Sequence, residues 1–177
     1  MGQSKKAVVT GGAKGVGREI ARQLLESGVD VIIVDLEKSD FFAQYGNHAI
    51  HETMDVADLS GWVALSERIG EVDYLINNAA VQTIVPFFEL SESDWSRVIG
   101  TNLNGTFFGM QKVKVKNGGR IVNISSIYGQ RPRLNKFHYD ASKAAIELLT
   151  KEVALVLFYL VPLWCHPPHR SHEFFAQ

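Results

Sequence analysis

The sequence predicts an α/β fold, a doubly wound parallel sheet with helices on both faces. Three observations carry that expectation. Short apolar runs rich in β-branched residues alternate with longer helical patterns, as parallel strands joined by crossovers require. The first run, Lys6-Ala7-Val8-Val9-Thr10, leads straight into a glycine turn, Gly11-Gly12-Ala13-Lys14-Gly15-Val16-Gly17. The second, Val31-Ile32-Ile33-Val34, ends on an acid, Asp35.

The elements follow in order. After the glycine turn, Val16, Ile20 and Leu24 recur every fourth residue, a helical stripe that Gly28 ends. Ala49 to Met54 reads as a third strand and Leu59 to Ile69 as a helix, followed by the apolar strand Tyr74-Leu75-Ile76. Ser91-Glu92-Ser93-Asp94 has the spacing of a capping box and opens the next helix. A helix starting near Asn102 is expected to run on from Thr106 to Val115, with Gly118-Gly119 breaking it before the strand Ile121 to Ser126. There is no internal repeat, low-complexity stretch or linker in the middle of the chain.

The composition is that of a single globular domain of 177 residues, 46% hydrophobic and 21% charged. A net charge of −1 gives no reason to expect nucleic acid or an anionic membrane as partner. One cysteine excludes an internal disulfide framework. The first strand begins too early for a signal peptide, and Lys6 occupies the position where a myristoylated Met-Gly terminus would carry Ser or Thr. A cytoplasmic location is expected.

The chemistry concentrates in two places. Glycines between a strand and a helix let the backbone approach a pyrophosphate, and the helix N-terminus offers free N–H groups and a partial positive charge. Asp35 can accept hydrogen bonds from the hydroxyls of an adenosine ribose. Farther along, Tyr139 and Lys143 stand four residues apart in Tyr139-Asp140-Ala141-Ser142-Lys143, which on a helix is one face, one turn apart. A free phenol keeps its proton to about pH 10, and a fixed positive charge beside it favours the phenolate. Such a pair is an acid–base catalyst in form.

These motifs resemble those of the short-chain dehydrogenase/reductases, over about residues 5 to 153. Thr10 to Gly17 resembles the family's TGxxxGxG turn, and Asn77-Asn78-Ala79-Ala80 its NNAG motif, with Ala80 where glycine is usual. Asp55-Val56 resembles the pair that touches the adenine ring. Asn102, in Gly100-Thr101-Asn102-Leu103-Asn104-Gly105, matches the asparagine of the catalytic tetrad. Ile121 to Ser126 matches the strand that delivers the catalytic serine, and Ser126, thirteen residues before Tyr139, has the family spacing that Ser125 lacks. The resemblance implies a Rossmann-like sheet and a tetrad of Asn102, Ser126, Tyr139 and Lys143. It places the cofactor on Thr10, Gly11, Gly15, Val16, Gly17, Asp35, Asp55, Val56, Asn78 and Ala79, together with Tyr139 and Lys143. Tyr139 would exchange a proton with the substrate oxygen, which Ser126 would hydrogen-bond. Lys143 would lower the Tyr139 pKa and hold the nicotinamide ribose, and Asn102 would hold a water linking Lys143 to solvent. His138 to Lys143 and Asp94-Trp95 are similar to the family's glucose 1-dehydrogenases and 3-oxoacyl reductases, which implies a secondary alcohol or ketone as substrate.

Asp35 favours NAD over NADP, because a carboxylate about 4 Å from a 2′-phosphate costs roughly 1–4 kcal/mol in a wet site. Leu36 follows it, so no arginine there receives the phosphate, whereas Lys14 in the glycine turn pulls toward NADP.

The chain departs from the family after Val153. The expected division is a domain over 1–155 and an atypical tail over 156–177, which holds three of the six His, three of the five Pro and the one Cys. The change reads as a frameshifted or alternatively spliced end, with genuine divergence of the tail as the alternative, and the last two strands of the family are expected to be missing. Cys165, His166, His169 and His172 fit no common zinc spacing, so no metal site is expected. The run Val153 to Trp164 is too short to span a bilayer. From Asn102 to Ser126 the chain is about one helical turn shorter than is usual in the family, which puts the family's common oligomer in doubt. Two functions are therefore weighed: an oxidoreductase, and a nucleotide-binding or interaction protein with impaired catalysis.

Overall fold

The computed structural model describes residues 4–160. Its framework is a five-stranded sheet in the order β3-β2-β1-β4-β5 with every pairing parallel. The strands are β1 (Lys6–Thr10), β2 (Asp30–Asp35), β3 (Ala49–Thr53), β4 (Val72–Asn77) and β5 (Val115–Asn123). The helices are α1 (Gly15–Glu26), α2 (Leu59–Ile69), α3 (Glu92–Ile99), α4 (Gly105–Lys112) and α5 (Phe137–Leu160). The strand order reverses at β1, and the crevice beyond β1 and β4 is where such folds bind ligands.

Side chains alternate across each strand, so one set faces α1 and the other faces α2 and α4. Val9, Ile33 and Ile76 pack with Ala21 and Leu25 on the first face. Val8, Ile32, Val34 and Leu75 pack with Trp62 and Leu65 on the second. Each such valine, leucine or isoleucine side chain stabilises the fold by about 1.5–3 kcal/mol on burial. Trp62 is fully buried and satisfies its indole N–H on the Val56 carbonyl at 2.9 Å.

Local signals set most of the boundaries. Asp58 caps α2 by accepting from Ser60 N, and Ser91 caps α3 by accepting from Asp94 N at 3.1 Å, as the capping-box spacing predicts. Gly28, at φ +80°, follows the last turn of α1. The fully buried residues of α1 are Gly17, Ala21 and Leu25; of the expected stripe, Ile20 and Leu24 pack partly buried against the same core, and Val16 is exposed. Small residues at 17 and 21 let the helix sit close to the strands, and that selects the face.

The expected helix from Thr106 to Val115 is also corrected. It ends at Lys112, Val113 is extended, and Val115 already pairs with Val72 in the sheet. Between Val72 and Tyr74 the partner strand advances from Val115 to Arg120, a bulge that Gly118 turns at φ +80°. Lys116 pins the bulge through Asp73 at 3.0 Å. Gly118-Gly119 thus lie inside β5 rather than before it. A 3-10 segment, Asp40–His48, kinked at Gly46 and not revealed by the sequence pattern, joins β2 to β3.

Five strands stand in the sheet among the described residues, and α5 continues through the expected boundary at 155 to Leu160. Cys165, His166, His169 and His172 lie outside the described residues. No helix in the described part is long and apolar enough to cross a membrane.

Candidate active site

The glycine turn closes on β4. Gly11 and Gly15 take φ +62° and +58°, a region that favours glycine. A Cβ on Gly17 would lie 2.1 Å from the Gly11 carbonyl oxygen, and one on Gly11 would lie 2.8 Å from Ala79 Cα. Thr10 Oγ1 accepts from the backbone N–H of Asn78 and of Ala79, and Asn78 Nδ2 donates to Thr10 O and Gly11 O. The threonine and asparagine thereby lock the turn to the end of β4. Val16 is left open beside it.

A cavity of about 550 Å³ runs from Gly11 past Asp35 to Asp55, Val56, Asn78 and Ala79. Asp35, at the end of β2, accepts from Ala13 N at 2.9 Å and from Glu37 N at 3.2 Å. Asp55 caps its own turn by accepting from Ala57 N, and Val56 is buried. Lys14 lies at the same cavity with its ammonium paired to the carboxylate of Glu37, at 3.0 and 3.1 Å. The cavity thus joins a backbone cradle without side chains at one end to a carboxylate at the other. That combination fits a dinucleotide: the cradle suits a pyrophosphate and the carboxylate suits ribose hydroxyls.

The remaining predicted residues gather beyond β4 and β5. Asn102 sits in a π turn, Gly100–Asn104, between α3 and α4. It is fully buried, accepts from Val81 N at 2.8 Å, and donates to Val81 O and to Ser142 Oγ at 3.0 and 3.1 Å. Ser142 in turn donates to Tyr139 O. The asparagine side chain therefore ties the segment after β4 to the start of α5. Lys143 is buried on α5, with Nζ donating to Ile124 O at 2.6 Å and lying 5.7 Å from the centre of the Tyr139 ring. Burial pushes its ammonium down to about 8.

The two serines separate by what their protons do. Ser125 Oγ donates at 3.0 Å, toward Lys143 O and Glu147 Oε1. Ser126 Oγ accepts from Tyr128 N at 3.2 Å, which leaves its own proton available to a bound molecule. Ser126 is half-buried, at the start of the 3-10 turn Ile127–Gly129.

Two residues at the site, Glu37 and Glu147, carry no motif in the sequence, and a third, His138, stands in the similar segment His138 to Lys143 without an assigned role. Glu37 is an acid two positions past Asp35, a proximity that could have marked it. Glu147 lies one turn beyond Lys143 on the same helix. His138 is fully buried beside Tyr139, with Nε2 2.7 Å from Thr83 Oγ1, and burial holds its pKa below the ordinary histidine value.

Parallel topology, glycine cradle and acid-ended second strand define a Rossmann-like α/β fold. Residues 5–159 match the family model described as short chain dehydrogenase, and the chain belongs to that family. A gluconate 5-dehydrogenase of Gluconobacter oxydans is 34% identical over 164 residues, which cover 84% of this chain and 64% of the relative. A 2-dehydro-3-deoxy-D-gluconate 5-dehydrogenase of Dickeya dadantii is 33% identical over 165 residues, covering 86% and 65%. Glucose 1-dehydrogenase 2 of Bacillus subtilis is 33% identical over 171 residues, covering 85% and 65%. The chain thus spans just under two thirds of the length of these relatives.

Proposed function

We propose that the chain binds NAD and interconverts a secondary alcohol and a ketone, with Tyr139 as the general acid and base. The observation that carries this reading is the approach of Lys143 Nζ to the Tyr139 ring, on a helix whose start is tied through Asn102 to the segment after β4. Thr10, Gly11, Gly15, Val16, Gly17, Asn78 and Ala79 would hold the pyrophosphate end. Asp35, Asp55 and Val56 would hold the adenosine. When bound, the nicotinamide supplies a hydride acceptor or donor.

The protein's residues do the rest. Ser126 donates its free proton to the substrate oxygen and stabilises charge that develops there. Tyr139 moves the proton on or off that oxygen. Lys143 keeps a positive charge beside the phenol and reaches the ribose. Asn102 anchors the two segments that meet at the site through its side-chain bonds to Val81 and Ser142, and would hold the water that links Lys143 to solvent.

NAD is preferred over NADP for two reasons of charge. Asp35 opposes a 2′-phosphate, and Glu37 both adds a second carboxylate and neutralises Lys14, the cation of the glycine turn that would favour it. Two of the relatives named above are dehydrogenases of gluconate-type sugar acids, and with the third they support a polyol or sugar-derived substrate.

Fluorescence titration with NADH, combined with a panel of alcohols and ketones, tests the proposal. Turnover is expected, and Tyr139→Phe is expected to reduce it by about 100-fold or more while NADH still binds. Binding without turnover by the parent chain would favour the impaired nucleotide-binding reading instead. Asp35→Ala should raise affinity for NADPH relative to NADH; unchanged relative affinity would overturn the cofactor assignment.

A further inference from the structure

We propose that Glu147 is a positioning residue of this site: its carboxylate clamps the turn that carries Ser126 onto the helix that carries Tyr139 and Lys143. The inference rests on the oxidoreductase reading above for its catalytic consequence. The clamp itself rests on geometry alone.

Ser126 comes from the end of β5, whereas Tyr139 and Lys143 come from α5, and twelve residues of intervening chain separate Ser126 from Tyr139. Something must fix one against the other to within a fraction of an ångström if proton transfer and substrate polarisation are to coincide. Glu147 is placed to do so. It follows Lys143 by four residues and Tyr139 by eight, so the three share one face of α5. One carboxylate oxygen accepts from Ser125 Oγ at 3.0 Å, and the other accepts from Gln130 Nε2 at 3.0 Å. Those are the two ends of the segment that contains Ser126. Among the described residues, no other side chain bonds to both ends.

The Ser125 hydroxyl also lies 3.0 Å from Lys143 O, but it has one proton, and a charged acceptor takes it more strongly. Between the two anchored ends the turn is bonded to itself: Tyr128 N donates to Ser126 Oγ and Gly129 N to Ser126 O. Gly129 lets it lie flat against the helix. A Cβ there would stand 3.0 Å from the Lys143 carbonyl carbon and the Ala144 nitrogen, and 3.1 Å from Glu147 Oε1. Hydrogen bonds from Gln130 and Ser125 hold the Glu147 carboxyl below the usual carboxylate range, so both oxygens are acceptors at neutral pH.

The test compares the full chain with Glu147→Ala and Glu147→Gln. In Glu147→Ala, kcat should fall about 10- to 100-fold while the substrate KM and the NADH Kd change less than about threefold, because Ser126 is displaced without loss of the cofactor cradle. Glutamine keeps one acceptor oxygen for one end of the turn, so Glu147→Gln should recover part of kcat. Hydrogen exchange gives a readout free of catalysis: the amides of Tyr128 and Gly129 should exchange faster in Glu147→Ala, with those of β1 and α1 unchanged. Unaltered kcat and unaltered exchange would overturn the clamp. So would equal loss of kcat, NADH binding and protection across the whole chain in both variants, which is the signature of general unfolding. If the parent chain turns over no substrate, the oxidoreductase reading fails, and exchange at Tyr128 and Gly129 still decides the clamp.

Discussion

Lys143 shows how a single buried group carries opposite consequences for stability and for chemistry. Its ammonium has one described hydrogen-bond partner, a neutral carbonyl, and burial moves its pKa from 10.5 to about 8. Below about 8 the group is charged both folded and unfolded, and the folded chain bears the full desolvation cost. Between about 8 and 10.5 the folded protein has released the proton while the unfolded chain keeps it, so stability rises with pH across that window. The charge beside Tyr139 is lost over the same interval. Relative to Lys143→Met, the parent should therefore gain up to about 3 kcal/mol between about pH 7.5 and about pH 10 in denaturant unfolding. Its turnover should fall over the same range. A pH-independent difference from the methionine variant would show that the lysine is not desolvated in solution. Neither the burial nor the carbonyl partner is written in the Tyr139–Lys143 spacing, which reveals the pair and not its surroundings.

Among the elements, the glycine turn is the one whose geometry is most exacting. Gly15 and Gly17 belong to one motif yet are glycine for different reasons. Gly15 needs only its positive φ, with nothing within 4 Å of a built Cβ. Gly17 needs empty space, because the Gly11 carbonyl oxygen occupies it. Thermal or denaturant unfolding should separate them. Gly15→Ala should cost about 1–2 kcal/mol, the strain of a left-handed alanine. Gly17→Ala should cost about 3 kcal/mol or more and abolish NADH binding, since backbone must move. Equal effects would mean that the turn is held by conformation alone. The strands β1 to β4 and helices α2 and α3 were legible because each combines a clear period with a capping or turn residue. The α4–β5 region was not. Val113 and Val115 suit helix and strand alike, and the glycine pair signals a break without saying that the break is a bulge within a strand. Site residues that sit in contiguous motifs were readable, whereas Glu37 and Glu147 act through partners distant in sequence or hidden by the fold.

At the scale of the whole molecule, β5 forms one edge of the sheet among the described residues, beside a groove of about 660 Å³ lined by Met110, Val113, Ile121, Val153 and Leu157. Val122, pointing the other way from Ile121, is 47% exposed, and Leu148, Leu155 and Val156 on α5 are exposed as well. Open strand edges and apolar faces promote self-association. Val122→Glu should lower light scattering of concentrated solutions while changing unfolding stability by less than about 0.5 kcal/mol. Unchanged scattering would place the sticky surface elsewhere. Strand order and glycine cradle together put both halves of the site at the C-terminal ends of the strands, and that much followed from the order of motifs. The π turn at Gly100–Asn104 did not, because a five-residue turn leaves no signature in composition. Its consequence is a sensitivity to length that no substitution would expose. Removing one residue other than Asn102 between Ile99 and Gly105 would restore ordinary helical winding, which leaves the flanking helices nearly in phase but re-aims the side chains within the turn. Asn102 would then leave Val81 and Ser142 with every side chain of the site still present in the sequence. Here the spacing of residues along the chain, as much as their identity, is the heritable part of the active site.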